Sequence, residues 1–337
     1  MRSAAQYRLL GDGRLHLNDG PIDLVIEAFG EAAGIEAAYA AAWRRFQTIL
    51  DELCAELGLL RARARPHGAR PNGMVAQRMM AAVAPFCAWR FITPMAAVAG
   101  AVAEEVLEAM TTAAALRRAY VNNGGDIALH LLGGEEFSIG MVDRPDRPSL
   151  IGQATIAARD RVRGVATSGW RGRSFSLGIA DAVTILARTA AAADAAATLV
   201  ANAVDLPDHK AIRRTPALSR DPQSDLGERL VTIDVGPLTS GEIDAALGGG
   251  LNEAERLRRH GLIEAAALRL CGETRLCGVE ARLYNAVSPA NDRAVERPRH
   301  FEEQSDETIQ RAPRRPGFTR DVGVDERDRG MIRHAVG

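Results

Sequence analysis

Three short stretches hold residue types suited to gripping an anion and its counter-ion. They are Val121-Asn-Asn-Gly-Gly-Asp126, Ala166-Thr-Ser-Gly169 and the Asp194/Thr198 pair in an alanine-rich run. In the first two, glycines let backbone amides approach a ligand closely. In the third, a carboxylate and a hydroxyl stand four residues apart, which on a helix places both oxygens on one face, one turn apart. Hard oxygen ligands beside bare amides are what a magnesium–diphosphate complex requires.

Each stretch also has a plainer reading. Gly124 and Gly125 serve a tight turn between two strands as readily as a ligand loop, and Asp126 serves as a turn aspartate. Thr167, Ser168 and Gly169 end a strand and offer donors to a phosphate, with Arg171 and Arg173 adding charge-assisted bonds. A solvated arginine pair in a surface loop would look the same. Asp194 could instead cap or turn, and Thr198 could bond back to a helix carbonyl.

The elements that must position these residues follow from periodicity. A turn at Asn18-Asp19-Gly20 separates β-like runs at Arg14–Leu17 and Ile22–Ala28. The apolar spacing from Glu31 to Leu60 predicts one long amphipathic helix. Further helices are expected over Gly73–Val83, Ala96–Leu116 and Thr189–Ala203. Strands are expected at Arg118–Asn122, Ile127–Leu132, Phe137–Val142, Ala154–Ala158, Val162–Thr167, Asp181–Ala187 and Leu230–Val235. Pro207 to Gly227 reads as a polar connector. Thr239 or Ser240 begins a helix that Gly248-Gly249-Gly250 should interrupt, with Asn252 opening another. Leu262–Leu270 finishes a sheet. His130, in an apolar strand, reads as a satisfied core residue. Trp170 and Phe175 flank the arginine loop and suit either packing or ring stacking.

Bulk properties narrow the partners. The 337 residues are 47% hydrophobic and 25% charged, ordinary for a globular chain, and the formal net charge of −1 gives no reason to expect nucleic acid or an anionic membrane. Lys210 is the sole lysine, so arginine supplies the positive charge. Four cysteines lack C-x-x-C spacing and companion histidines, which argues against zinc. The chain starts without an apolar stretch of the signal-peptide kind, and the expected location is the cytoplasm. From about Ser288 periodic apolar positions vanish, giving a folded unit over residues 1–287 and a polar, disordered tail over 288–337.

In order along the chain, Thr93-Pro-Met-Ala-Ala-Val-Ala-Gly-Ala-Val-Ala-Glu104, Val121–Ile127, Gly164–Gly169, Gly172-Arg-Ser-Phe-Ser, Gly178–Thr184, Ala193–Thr198 and Val231–Leu238 resemble the ApbE superfamily. Its characterised members are FAD:protein FMN transferases, and the likeness is greater to a cytosolic, functionally uncharacterised (UPF) branch. The resemblance implies an α+β fold related to the T-fold: one domain of mostly antiparallel sheet with packed helices. It also implies Mg2+ on Asp194 and Thr198, with Asp181 as a further ligand, and FAD or FMN as the nucleotide. The nucleotide would be cradled by Asn123, Gly124, Gly125, Asp126, Thr167, Ser168, Gly169, Arg171 and Arg173, with an acceptor protein as partner. Two positions depart from the transferases. Ala99-Gly100 replaces a Lys-Gly pair, and Ser176-Leu-Gly-Ile-Ala-Asp181 lacks the histidine of His-x-Ile-Asp-Pro. Whether the chain is an enzyme is therefore open at this point. Two other readings stand beside flavin binding: an enzyme for a pterin- or purine-like ligand, and a non-catalytic protein using the cleft as a partner surface.

Overall fold

The computed structural model describes residues 4–142 and 150–278; the expected tail over 288–337, with the last residues of the expected folded unit, lies outside these. The chain opens with β1 (Gln6–Leu9), β2 (Leu15–Asp19) and β3 (Ile22–Phe29). Strict alternation on β3 buries Ile22, Leu24, Ile26 and Ala28 on one face. Helix α1 (Ala32–Ala55) lays Phe46, Ile49, Leu50 and Leu53 into the same core.

The single helix expected over Glu31–Leu60 is broken at Glu56 into α1 and the short α2 (Leu57–Leu60). The Glu56 carboxylate accepts from the amides of Asn72 (2.6 Å) and Gly73 (2.9 Å), donors that open α3 (Met74–Val83). A buried or half-buried helix start needs such partners. A 3₁₀ turn at Pro94–Ala97 leads into α4 (Val98–Ala113).

Next come β4 (Arg118–Asn123), β5 (Asp126–Leu131), β6 (Glu136–Val142), β7 (Leu150–Ala157), β8 (Gly164–Ser168), β9 (Ala182–Ala187) and α5 (Ala190–Ala203). The expected connector after α5 contains β10 (Ile212–Pro216) and one turn of helix, α6 (Ala217–Arg220), before β11 (Leu230–Val235). Helix α7 (Ser240–Arg259), β12 (Ala265–Leu270) and β13 (Glu273–Gly278) complete the described chain. Nine strands form one sheet in the order β1-β2-β3-β4-β5-β8-β9-β12-β13, every neighbouring pair antiparallel. The helices cover one face through the main core. The β6–β7 pair packs on the other through Phe137, Ile139, Ala154 and Ile156 against Leu129, Val165, Leu186 and Ala267. The expected α+β class with an antiparallel sheet is thus the observed one. No helix among the described residues is long and apolar enough to cross a membrane.

Helix α7 does not stop at Gly248-Gly249-Gly250, as the local sequence suggests; it runs through them, started by a capping box between Thr239 and Glu242. The glycines are where α7 meets its neighbours. A β-carbon at Gly250 would lie 2.3 Å from Val204 Cγ2 and 2.7 Å from Leu268 Cδ2, and one at Gly249 would lie 2.7 Å from the Ala203 carbonyl oxygen. Tertiary contact overrides helix propensity here. At Gly248, by contrast, a β-carbon meets nothing within 4 Å. We expect Gly248→Ala to raise stability by about 1 kcal/mol, the helix-propensity difference, and Gly250→Ala to lower it through overpacking. Denaturant midpoints of the two variants will check this; similar midpoints would contradict the packing described.

Candidate functional site

Alanine makes α5 thin. Its N-cap Thr189 accepts from the Ala192 amide (3.2 Å), and Glu104 on α4 takes the Ala191 amide (2.7 Å). These contacts satisfy two of the free donors at the helix start. Gly100 on α4 touches α5 directly: a β-carbon there would sit 2.3 Å from the Ala190 carbonyl oxygen. This closeness lets Asp194 Oδ2 accept the Gly100 amide at 3.1 Å. Asp194 is therefore held on a helix rather than on a loop.

Asp194 and Thr198 line the same cavity, which has room for about 90 Å³ of water-sized occupancy and opens to solvent. Among the described residues the Thr198 hydroxyl makes no hydrogen bond, so it is not spent on a carbonyl of α5. Asp126 and Ser168 join them on the wall. Asp126 is almost wholly buried at the start of β5, and its Oδ1 accepts the Thr167 amide of β8 at 3.2 Å. Burial pushes the Asp126 carboxyl up to about 7, against the Thr167 amide and the positive charge of Arg173, which favour its ionised form. Asp194, reachable from the cavity but enclosed by protein, is also pushed well up. Burial is the main cause and the Asp126 charge adds to it, while the Gly100 and Ala99 amides act in the opposite direction.

The remaining sequence-derived candidates sit around this wall rather than on it. Gly124 and Gly125, at φ 65° and 113°, form the two-residue turn of the β4–β5 hairpin, a role that requires left-handed backbone at both positions. The Asn122 side chain takes the Gly125 amide (2.8 Å). Asn123 is buried and donates to the Ala99 carbonyl (3.2 Å), bracing α4. Thr167 shares its hydroxyl with Thr184 (2.9 Å). A β-carbon on Gly169 would lie 2.4 Å from the Asp181 carbonyl oxygen. Asp181 accepts from Arg171 Nε (2.8 Å) and from the Cys271 amide (2.6 Å), so its carboxylate ties two loops together and does not line the cavity. Arg171 lies over the Trp170 ring at 4.3 Å. Of the two aromatics, Phe175 lines the cavity and Trp170 does not. His130 bonds the Leu116 carbonyl (3.1 Å), as a satisfied structural histidine does.

Thr93, from the first of the family-like stretches, also lines the wall, and other wall residues carried no motif in the sequence: Phe91, Asn202, and the Asp221–Leu226 stretch between α6 and β11. The only sequence signal for that last stretch is a cluster of turn-forming and polar residues, which marks a loop without giving it a task.

The donor set accommodates a divalent cation of limited protein coordination. Among the described residues no group of three or more His, Cys, Asp or Glu side chains is arranged to hold a metal. Asp194 and Thr198 are the side chains that could offer two hard oxygens to such an ion. Magnesium uses one or two carboxylates and takes the rest of its shell from water or phosphate.

A protein-family model described as AbpE bacteria matches residues 7–276. The chain is similar to a UPF0280 protein of Methanopyrus kandleri, 37% identical over 161 residues, covering 47% of this chain and 61% of that protein. It is similar also to a UPF0280 protein of Archaeoglobus fulgidus, 34% identical over 142 residues, covering 42% and 57%. The matches thus span less than two thirds of these relatives' length. Among solved structures, the chain is similar to the flavinyl transferase ApbE of Pseudomonas stutzeri in its apo form, with 13% identity, a TM-score of 0.41 and coverage of 83% and 96%. The flavin transferase ApbE of Vibrio cholerae gives 14% identity, a TM-score of 0.32 and coverage of 82% and 98%.

The buried Asp126 makes a pH prediction. Burial pushes its carboxyl up to about 7 in the folded protein, whereas an exposed aspartate in the unfolded chain titrates at about 4, so between these pH values the folded protein binds more protons. Stability of the ion-free protein is then greatest below about pH 4 as far as this group is concerned, and is lost as pH rises toward 7. Urea titrations across this window should show the decline, and Asp126→Asn should make it shallower, the part due to Asp194 remaining. An unchanged slope in the variant would contradict the assignment.

Proposed function

The chain belongs to the AbpE family of bacteria, and from that premise we propose that its cavity binds a flavin nucleotide, FAD or FMN, together with Mg2+. The observation that carries the reading is the shared cavity of Asp194 and Thr198, one helical turn apart, with the Thr198 hydroxyl free of helix carbonyls. In this reading the two side chains hold the ion, and Asp126 stands beside them as a second negative charge. Bound Mg2+ neutralises charge on the nucleotide's phosphates. The Ser168 hydroxyl, on the same wall, donates to a phosphate oxygen.

Transfer of FMN to an acceptor protein is, on this reading, slow or lost. Ala99 lines the cavity where the transferases it resembles carry a lysine. The histidine of those transferases has no counterpart in Ser176–Asp181, and the backbone gives it no room at Gly178. A β-carbon there would lie 2.1 Å from the Ala201 carbonyl oxygen. General acid–base assistance contributes about 10²–10⁴-fold, and a missing cation removes further stabilisation of phosphoryl transfer. The site keeps the means to bind and has given up groups that would speed the chemistry.

Calorimetric titration of the full chain with FAD, with and without Mg2+, tests this. Binding should need the ion, and Asp194→Ala should weaken it by at least about tenfold, the scale of one lost charge-assisted contact. AMP release should be slow in the wild-type protein. Absence of Mg2+-dependent FAD binding, or equal binding by Asp194→Ala, would sink the reading.

A further inference from the structure

The rows of core side chains on the helix-covered face of the sheet run on past the last strand that buries them. In register, Leu24 of β3 stands beside Leu17 of β2, and Leu17 beside Tyr7 of β1. A second row runs through Ile26, Leu15 and Leu9. The members on β2 and β3 are fully buried, yet Tyr7 is 47% exposed and Leu9 56%. Tyr7 reaches back to α1, where its ring meets Trp43 edge-on with 5.7 Å between centroids. Strand β1 ends the sheet on this side, and among the described residues no strand pairs with its outer edge. An uncovered edge that also carries apolar side chains is a template for strand pairing.

The direction of each backbone group on β1 follows from its continuation. The Leu10 amide donates inward, to the Arg14 carbonyl at 2.8 Å. Antiparallel pairing alternates residue by residue, and the β1–β2 register is unbroken. The amides of Gln6 and Arg8 therefore face β2, and those of Ala5, Tyr7 and Leu9 face outward. On the other face of the sheet β1 is polar: Gln6 and Arg8 stand beside Asn18 and His16, both bonded to Asp23. A strand that fits this edge must carry apolar side chains on one face only and place no cation opposite Arg8.

A second β1, turned about a two-fold axis through Tyr7, meets these conditions. Tyr7 then lies opposite Tyr7 of the second copy, Leu9 opposite Ala5, and Arg8 opposite Gln6, so every outward amide finds a carbonyl. Centring the axis on Arg8 instead would oppose two arginines and leave Ala5 without a partner; like charges directly opposite are destabilising. The formal net charge of −1 leaves little long-range repulsion between copies. We propose that β1 pairs antiparallel with β1 of a second copy of this chain, Tyr7 on the axis, joining two sheets into one. Such an interface is self-complementary and closed, and it continues both apolar rows across the junction.

Sedimentation equilibrium and thiol crosslinking of the full chain test this. Between about 1 and about 100 μM the mass should move from one chain toward two, as suits an interface at the small end of the range. Tyr7→Lys opposes like charges on the axis and should raise the dimer Kd at least about tenfold. Under oxidation Tyr7→Cys should give covalent dimer, since a hydrogen-bonded pair sets α-carbons about 5.5 Å apart, within disulfide reach. Leu9→Cys, which faces Ala5, should give no more than the wild-type protein, whose exposed Cys271 sets the background. A single-chain mass at every concentration, which needs no variant to fold, would overturn the proposal. So would a dimer that Tyr7→Lys leaves unchanged, because the contact would then lie elsewhere. Crosslinking of Leu9→Cys without Tyr7→Cys would overturn the register.

Discussion

The close contact of α4 with α5 at Gly100 governs the geometry of the site. With no β-carbon at that position, the backbone of α4 reaches the Ala190 carbonyl region, and a peptide amide comes within hydrogen-bond range of the Asp194 carboxylate. Glu104, one turn further along α4, takes the Ala191 amide and sets the axial position of α5. On the opposite side, Gly164 allows the sheet to approach just as closely, since a β-carbon there would fall 2.1 Å from the Thr189 carbonyl carbon. Alanine at nearly every buried position of α5 is the matching half of this fit. The oxygens of the site are thus located by rigid backbone, which holds reacting geometry better than loops do.

Charge shapes the site as much as packing. Two carboxyl groups are enclosed with few compensating partners: each has backbone amides, and Arg173 acts on Asp126 from an exposed position. Two other buried acids, Glu105 and Glu253, are matched by arginines. Glu105 is held by Arg45 at 2.7 Å and Arg78 at 2.9 Å, and Glu253 by Arg256 and Arg90. The contrast matters because uncompensated burial is costly and is found where a ligand supplies what the protein does not.

How far the sequence could be read depended on whether a residue's role was local. The Asp194/Thr198 spacing was legible because a helix imposes its period on any polar pair, and most strand positions, though not their order in the sheet, followed from apolar runs and turn residues. Gly124-Gly125 could not be resolved, since a hairpin turn and a ligand loop both ask for left-handed backbone; the pairing of Asn123 with Asp126 makes it the turn. Gly248–Gly250 misled because propensity speaks for a break, while the space between α7, Val204 and Leu268 is visible only in three dimensions. The Asp221–Leu226 stretch stayed mute for a similar reason. Its Asp225 is placed by Thr93, more than a hundred residues away in the chain.

The interlocking of α5 with its neighbours has an evolutionary corollary. Most protein interiors are damaged by losing atoms; this one is guarded against gaining them. At positions 100, 164 and 178 a single methyl would meet backbone rather than a movable side chain, so drift toward larger residues is blocked there.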